Sequence, residues 1–390
     1  MKFFSKTFGV FEIIEISILI LIYYYFTFMI KSDIPDHVMI IKNYAIYNIS
    51  TPANFLYYFI VYLLSFFSSN TTILCIISVY VLAFSTFFKY VIVKKVISSE
   101  ISNSYKCANT LASLISFSLL FAFSLPSILI FKGLLSTLSL SPNVWHNSTT
   151  IFVMPFVILL FWTSLKQLKE FQVKRLVFIA VLIITTVLIK PSFIFVFIVT
   201  YPVFLFKKYL FSKLFWINLI PIILASLIVL IEYYFIYVES SSVEDKSSIA
   251  IDLFYIINTR YAHGNWMYII AVFISTIVSG YLFPIVLLFR NKQLFKEEMI
   301  QFAILCSIIG LIIGYSLYET GYRSLHGNLT WQNIMCSFLL FLVCIVQLLK
   351  LIAANPLKWK AYRIEISIFA LHFLSGILYF FKVLVTASYS

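Results

Sequence analysis

Residues 10–30 read VFEIIEISILILIYYYFTFMI, and residues 31–37, directly after them, read KSDIPDH. The first stretch is a continuous apolar run of about 20 residues, the length a helix needs to cross a bilayer. It does not alternate with period two, which excludes a barrel strand, and helices and closed barrels are the structures that satisfy their own backbone in lipid. Similar runs recur along all 390 residues, of which 62% are hydrophobic and 11% charged, with a mean hydropathy of +1.01. The reading is all-α: a polytopic transmembrane helix bundle forming a single transmembrane domain over 1–390.

Spanning helices are expected at about 10–30, 71–92, 107–131, 150–165, 175–189, 191–206, 214–236, 265–288, 299–318, 331–350 and 365–386. Lys2 and Lys6 precede the first run as in a signal peptide, but the run is too long and lacks a small-residue cleavage site, so it reads as a retained helix. With eleven spans and the N-terminus cytoplasmic, inner loops collect Lys2, Lys6, Lys89, Lys94, Lys95, Lys106 and most later basic residues. Eight of the 28 fall on the outer side with the C-terminus, as the positive-inside rule requires. The formal charge of +13 is therefore a topology signal scattered over loops, with no contiguous basic face for nucleic acid.

Residues 52–68, PANFLYYFIVYLLSFFS, are apolar but short. Counting them as a span would put Lys94 and Lys95 outside, so they read as an interfacial helix on the outer face. Residues 175–206 form a hairpin whose outer tip is Lys190 and Pro191. Five cysteines lie in helices or at their inner ends, which argues against a disulfide framework and a cysteine metal site.

The polar residues sort by side. Outer segments hold Asp33, Asp36 and His37, then Trp145, His146 and Asn147, then Lys190, then Asp252, Arg260 and His263, and finally Glu319, Arg323, His326 and Asn328. Four of the five histidines are among them. Histidine exchanges protons near neutral pH, and Arg and Lys match phosphate oxygens, so acid, base and phosphate clamp are available on one face. Each residue also has a plain reading. Asp33 and Asp36 suit the cap of an interfacial helix beginning near His37, Trp145, Trp266 and Trp331 suit an aromatic belt, Lys190 suits snorkelling, and His372 suits a packed helix position.

The histidines lack any HExxH or paired-face spacing, so no zinc site is expected. A divalent cation between Asp33 and Asp36 is the one metal the spacing allows. No P-loop, GxGxxG or GxSxG element occurs.

An acidic motif, SDIPDH, just after the first span, followed by a short apolar helix candidate, NFLYYFIVYLLSFF, resembles the multi-spanning GT-C glycosyltransferases. Size, span number and the Phe-, Ile-, Tyr- and Lys-rich composition also resemble bacterial O-antigen and capsule polymerases. The long outer loop common in those polymerases is missing; the longest outer loop here is roughly residues 237–264.

The resemblance implies an inner-membrane enzyme that polymerises undecaprenyl-diphosphate-linked repeat units at the periplasmic face, without a cofactor. Asp36, then His37, then Asp33 would be the base, while Arg323, Arg260 or Lys190 would neutralise the leaving phosphate. His146, His263, His326, Glu319 and Asn328 would complete the site. Its partners would be polyprenyl-linked glycans, the bilayer and a chain-length regulator protein. Two alternatives are a GT-C transferase adding a single sugar from polyprenyl phosphate and a lipid-linked oligosaccharide flippase.

Overall fold

The computed structural model describes residues 10–49, 51–102, 104–105, 107–126, 140–238 and 247–388. Its helices are α1 (Val10–Phe28), α2 (Asp33–Tyr47), α3 (Leu56–Leu64), α4 (Thr71–Ile101), α5 (Ala108–Phe121), α6 (Ser148–Lys169) and α7 (Val173–Ile189). They continue with α8 (Ser192–Tyr209), α9 (Lys213–Tyr233), the single turn α10 (Tyr255–Ile257), α11 (Trp266–Arg290), α12 (Glu298–Ser316), α13 (Trp331–Ala354) and α14 (Arg363–Thr386). A two-stranded antiparallel ribbon, β1 (Ile249–Ile251) with β2 (Leu317–Glu319), pairs the loops after α9 and α12.

Among the described residues nine helices are long and apolar enough to cross a membrane, and the protein is a multi-pass helical bundle. They are α1, α4, α6, α8, α9, α11, α12, α13 and α14. Helices also occupy the other two expected positions, but α7 has 17 residues and α5 only 14. Lys2, Lys6 and Lys106, residues 127–131 of the expected third span and 239–246 of the long loop lie outside the described residues.

The expected helix over 107–131 stops at Phe121. Residues 122–126 run without helix, because Pro126 lacks an N–H and biases Leu125 away from the helical region. Their backbone groups are satisfied by neighbouring helices instead. Phe123 N–H donates to the His372 carbonyl at 3.0 Å, Leu125 N–H to Ser279 at 2.9 Å, and the Ser375 hydroxyl to Ser124 at 2.6 Å. His372 Nδ1 donates to the Phe123 carbonyl at 2.7 Å, so this helix histidine has a definite partner. Gly376 allows the approach: a Cβ there would overlap the Phe121 carbonyl.

At the centre, α13 and α6 are enclosed on nearly all sides, whereas α1, α9 and α14 turn most of their surface outward. The run GLIIG at 310–314 brings α12 against α13, since a Cβ on Gly314 would lie 2.6 Å from Asn333 Nδ2. Small residues four apart let helix backbones approach in this way.

The two ends of the bundle differ in their polar contacts. At one end ion pairs join helices: Lys94 with Glu12 at 2.8 Å, Arg290 with Glu365 at 2.9 Å, and Lys350 with Glu100. α4 runs 31 residues, well past the expected boundary at 92.

Lys89, counted above with the inner-loop residues although the expected span ran to 92, lies inside α4 and is buried. Its Nζ donates to Asn143 Oδ1 at 2.6 Å and lies 3.8 Å from the Phe338 ring centroid. Asn143 Nδ2 in turn caps the end of α5, donating to the carbonyls of Leu119 at 2.8 Å and Ala122 at 2.7 Å. A buried amine is retained because every polar group in this chain of contacts is bonded.

Trp145 is likewise not a belt residue. It is buried, stacked on Phe121 with centroids 5.3 Å apart and packed against Phe380, because the bundle offers an aromatic pocket there. Trp266 remains exposed.

Candidate functional site

A cavity of about 790 Å³ opens at the end of the bundle opposite the ion pairs. Its walls come from α2, the α2–α3 link, α3, the segment ahead of α6, the α7–α8 turn, the loop before α11 and the N-terminus of α13.

α2 begins at Asp33, four residues earlier than expected, and its cap is Ser32, whose hydroxyl accepts from Ile34 N–H at 3.3 Å and donates to the Phe26 carbonyl at 2.6 Å. Asp33 and Asp36 thus occupy the first turn, where the helix dipole favours carboxylates, rather than the cap itself. Ile34, Val38 and Ile41 bury one face, and Asp33, Asp36, His37 and Ile40 meet the cavity. α3 has nine residues and rises about 13 Å, too little to cross a bilayer. It contributes Tyr58, whose hydroxyl lies 2.8 Å from His37 Nδ1. The connecting Asn54 Nδ2 donates to the Ile189 carbonyl at 3.1 Å and fixes this unit to the end of α7.

Across from α2, Asn147 caps α6 by accepting from Thr150 N–H at 3.1 Å. Its other side chain atom, Nδ2, donates to Asp33 Oδ2 at 3.0 Å, and Lys190 Nζ donates to Asn147 Oδ1 at 3.3 Å and Thr149 Oγ1 at 3.2 Å. Asp33 and Lys190 are therefore joined through one amide. Lys190 is buried rather than snorkelling, with its ammonium 4.6 Å from the Trp331 ring centroid. Trp331 lines the cavity and is not a belt residue, and its ring sits 6.2 Å from that of His146.

Burial sets the protonation of this group. It pushes Lys190 down to about 7, with Asp33 opposing. It pushes the His37 imidazole down to about 4, with Lys190 adding to the effect and Asp33 opposing. His146 is lowered by burial, against Asp33 and with Lys190. The shared causes make Asp33, Lys190 and the two histidines one electrostatic unit. At neutral pH both imidazoles are neutral, and cationic character in the cavity comes from Lys190 and from Arg260, whose guanidinium donates to the Leu325 carbonyl.

Of the residues singled out from sequence, Asp33, Asp36, His37, His146, Lys190, Arg260, His326 and Asn328 all line this cavity. Four lie elsewhere, Asp252 among them, beside the ribbon at β1. Glu319 is buried beside it as a hub: Tyr237 O–H donates to Oε1 at 2.7 Å, Asn328 Nδ2 to Oε2 at 2.6 Å, and Arg323 pairs with Oε1 at 3.7 Å. Arg323 is held there and against Tyr322, whose hydroxyl accepts from Nε at 2.8 Å, so it is not a cavity cation. His263 sits in a left-handed turn ahead of Gly264 and faces outward.

Tyr58 and Trp331 were not recognised as site residues from sequence. A tyrosine pair inside a short apolar segment was the available signal for the first, and nothing distinguishes the second from a belt tryptophan. Among the described residues no three His, Cys, Asp or Glu side chains group as a metal-ligand set, and Asp33, one of the two carboxylates considered for a cation, is engaged by Asn147.

Compared with protein-family models, with curated proteins and with solved structures, the chain matches none.

Proposed function

We propose that the protein is a glycosyltransferase of the bacterial inner membrane that joins surface-polysaccharide repeat units carried on undecaprenyl diphosphate, with the cavity on the periplasmic face. In this reading α5 and α7 complete eleven passes, α2 and α3 lie at the outer interface, the N-terminus is cytoplasmic and the C-terminus periplasmic. The observation that carries the proposal is the convergence of Asp36, His37, Lys190 and Arg260, from three separate segments, on one cavity at the end of an apolar bundle. Such a place receives a sugar from water and a polyprenyl chain from lipid.

Asp36 is exposed in the cavity, whereas Asp33 is held by Asn147, which favours Asp36 as the base. Its carboxylate takes the proton of the acceptor hydroxyl, the hydroxyl oxygen bonds to the anomeric carbon, and the bond from that carbon to the phosphate oxygen breaks. The electron pair leaves on the diphosphate, and Lys190 and Arg260 offset its charge. A diphosphate is already a good leaving group, so no nucleotide is required.

A transporter of lipid-linked glycan is the second reading, favoured by Lys89 inside α4 and by the non-helical segment 122–126. Electrophoresis of surface polysaccharide after deletion separates the readings. A polymerase leaves a single repeat unit, a single-sugar transferase leaves the full ladder, and a flippase leaves no repeat unit on the surface. Asp36→Asn, present in the membrane at normal level, reproduces the single-unit pattern. An unchanged ladder in both strains refutes the proposal.

A further inference from the structure

His37 and Tyr58 form an isolated pair on the cavity wall. The Tyr58 hydroxyl and His37 Nδ1 are 2.8 Å apart, and among the described residues neither atom has another hydrogen-bond partner. The hydroxyl carries one proton, so the pair has two arrangements. In one, Nδ1–H donates to the tyrosine oxygen, and the proton of Tyr58, which is only 3% exposed, has no acceptor among the described residues. In the other, Tyr58 O–H donates to the Nδ1 lone pair, no donor is stranded, and the ring proton sits on Nε2. Among the described residues Nε2 has no hydrogen-bond partner, and half-buried His37 lines the cavity.

We infer that Tyr58 is a positioning residue that fixes His37 as its Nε2–H tautomer, so that His37 meets a bound ligand as a hydrogen-bond donor and not as a base. Burial lowers the imidazole and raises the Tyr58 hydroxyl, which keeps both groups neutral as this arrangement needs. The ligand atom opposite Nε2 is then an acceptor oxygen. On the glycosyl-transfer reading, on which the ligand's identity rests, it belongs to a sugar or to the phosphate of the lipid carrier. Proton removal from the acceptor falls to Asp36, and His37 supplies orientation and charge stabilisation.

The tautomer is read on the protein itself, whatever its activity. In 15N-histidine-labelled protein at pH 7, the resonances lost on His37→Gln should show a protonated Nε2 and an unprotonated Nδ1, and Tyr58→Phe should shift them toward the Nδ1–H form. A protonated Nδ1 in the unsubstituted protein, or an imidazolium, overturns the inference.

Glycan extension supplies a second readout. The glutamine amide places an N–H near the position of Nε2 but has no basicity. His37→Gln should therefore keep the rate within about threefold, while His37→Ala loses about 10- to 100-fold, the worth of a hydrogen bond to a charged or developing-charge oxygen. Equal losses in the two variants overturn the donor role. If no extension occurs in any form, the proposed function fails while the tautomer result still decides the assignment.

Discussion

Replacing Asn143 with alanine tests how the buried lysine is tolerated. Asn143 accepts from Lys89 at 2.6 Å and donates to Leu119 and Ala122 at 2.8 and 2.7 Å, and its removal frees two carbonyls and one buried amine. Inside a membrane each carbonyl bond is worth about 0.6 kcal/mol, because the unfolded helices find other partners. Stranding the lysine costs about 3 kcal/mol or more. The sum is about 4 kcal/mol.

In Asn143→Ala combined with Lys89→Met the lysine contribution disappears, and the loss should shrink to about 1–2 kcal/mol. Unfolding by dodecyl sulfate in mixed micelles, followed by circular dichroism, measures both variants. Equal destabilisation of single and double variants, or a loss below about 1 kcal/mol in the single one, would refute the reasoning.

Three further outcomes are expected. Burial lowers Lys190 to about 7, so on the glycosyl-transfer reading the affinity for undecaprenyl phosphate, followed by tryptophan fluorescence, should fall about tenfold per pH unit above pH 7 until the higher value of the complex is reached. Lys190→Arg should remove that slope. Gly376→Ala forces a methyl onto the Phe121 carbonyl, and folded yield by gel filtration should drop sharply, with a thermal loss above about 3 kcal/mol. In a Cys107→Ser background, Ser324→Cys should react with an impermeant thiol reagent on intact spheroplasts, whereas native Cys107, exposed near the opposite end, should react only after lysis.

The class of fold was legible because a membrane leaves a coarse signal: runs such as 10–30 and 331–350 are predominantly apolar over about 20 residues, and each is a helix. What the runs do not encode is which helices face one another. Lys89 reads as a loop residue because it lies close to Lys94 and Lys95, and only the return of Asn143 into the bundle makes its burial tolerable. The break after Phe121 had a local sign in Pro126, but its stability depends on carbonyls and hydroxyls of α11 and α14, more than 150 residues away in sequence.

In the cavity, side assignment alone grouped Asp33, Asp36, His37, His146, Lys190 and Arg260. It did not separate them from Arg323 and Glu319, which share the same loop chemistry but satisfy each other. Tyr58 and Trp331 were hidden by composition, since 26 tyrosines and an aromatic share of 19% make any single ring inconspicuous.

The most direct measurement is glycan extension by the purified protein in liposomes supplied with undecaprenyl-diphosphate-linked repeat units, with products separated by length. Glycosyl transfer at this cavity predicts products of two and more units with the unsubstituted protein, and none above background with Asp36→Asn at equal loading and unchanged thermal stability. Extension by Asp36→Asn at the unsubstituted rate, or transport of the lipid-linked unit across the bilayer without extension, would contradict it.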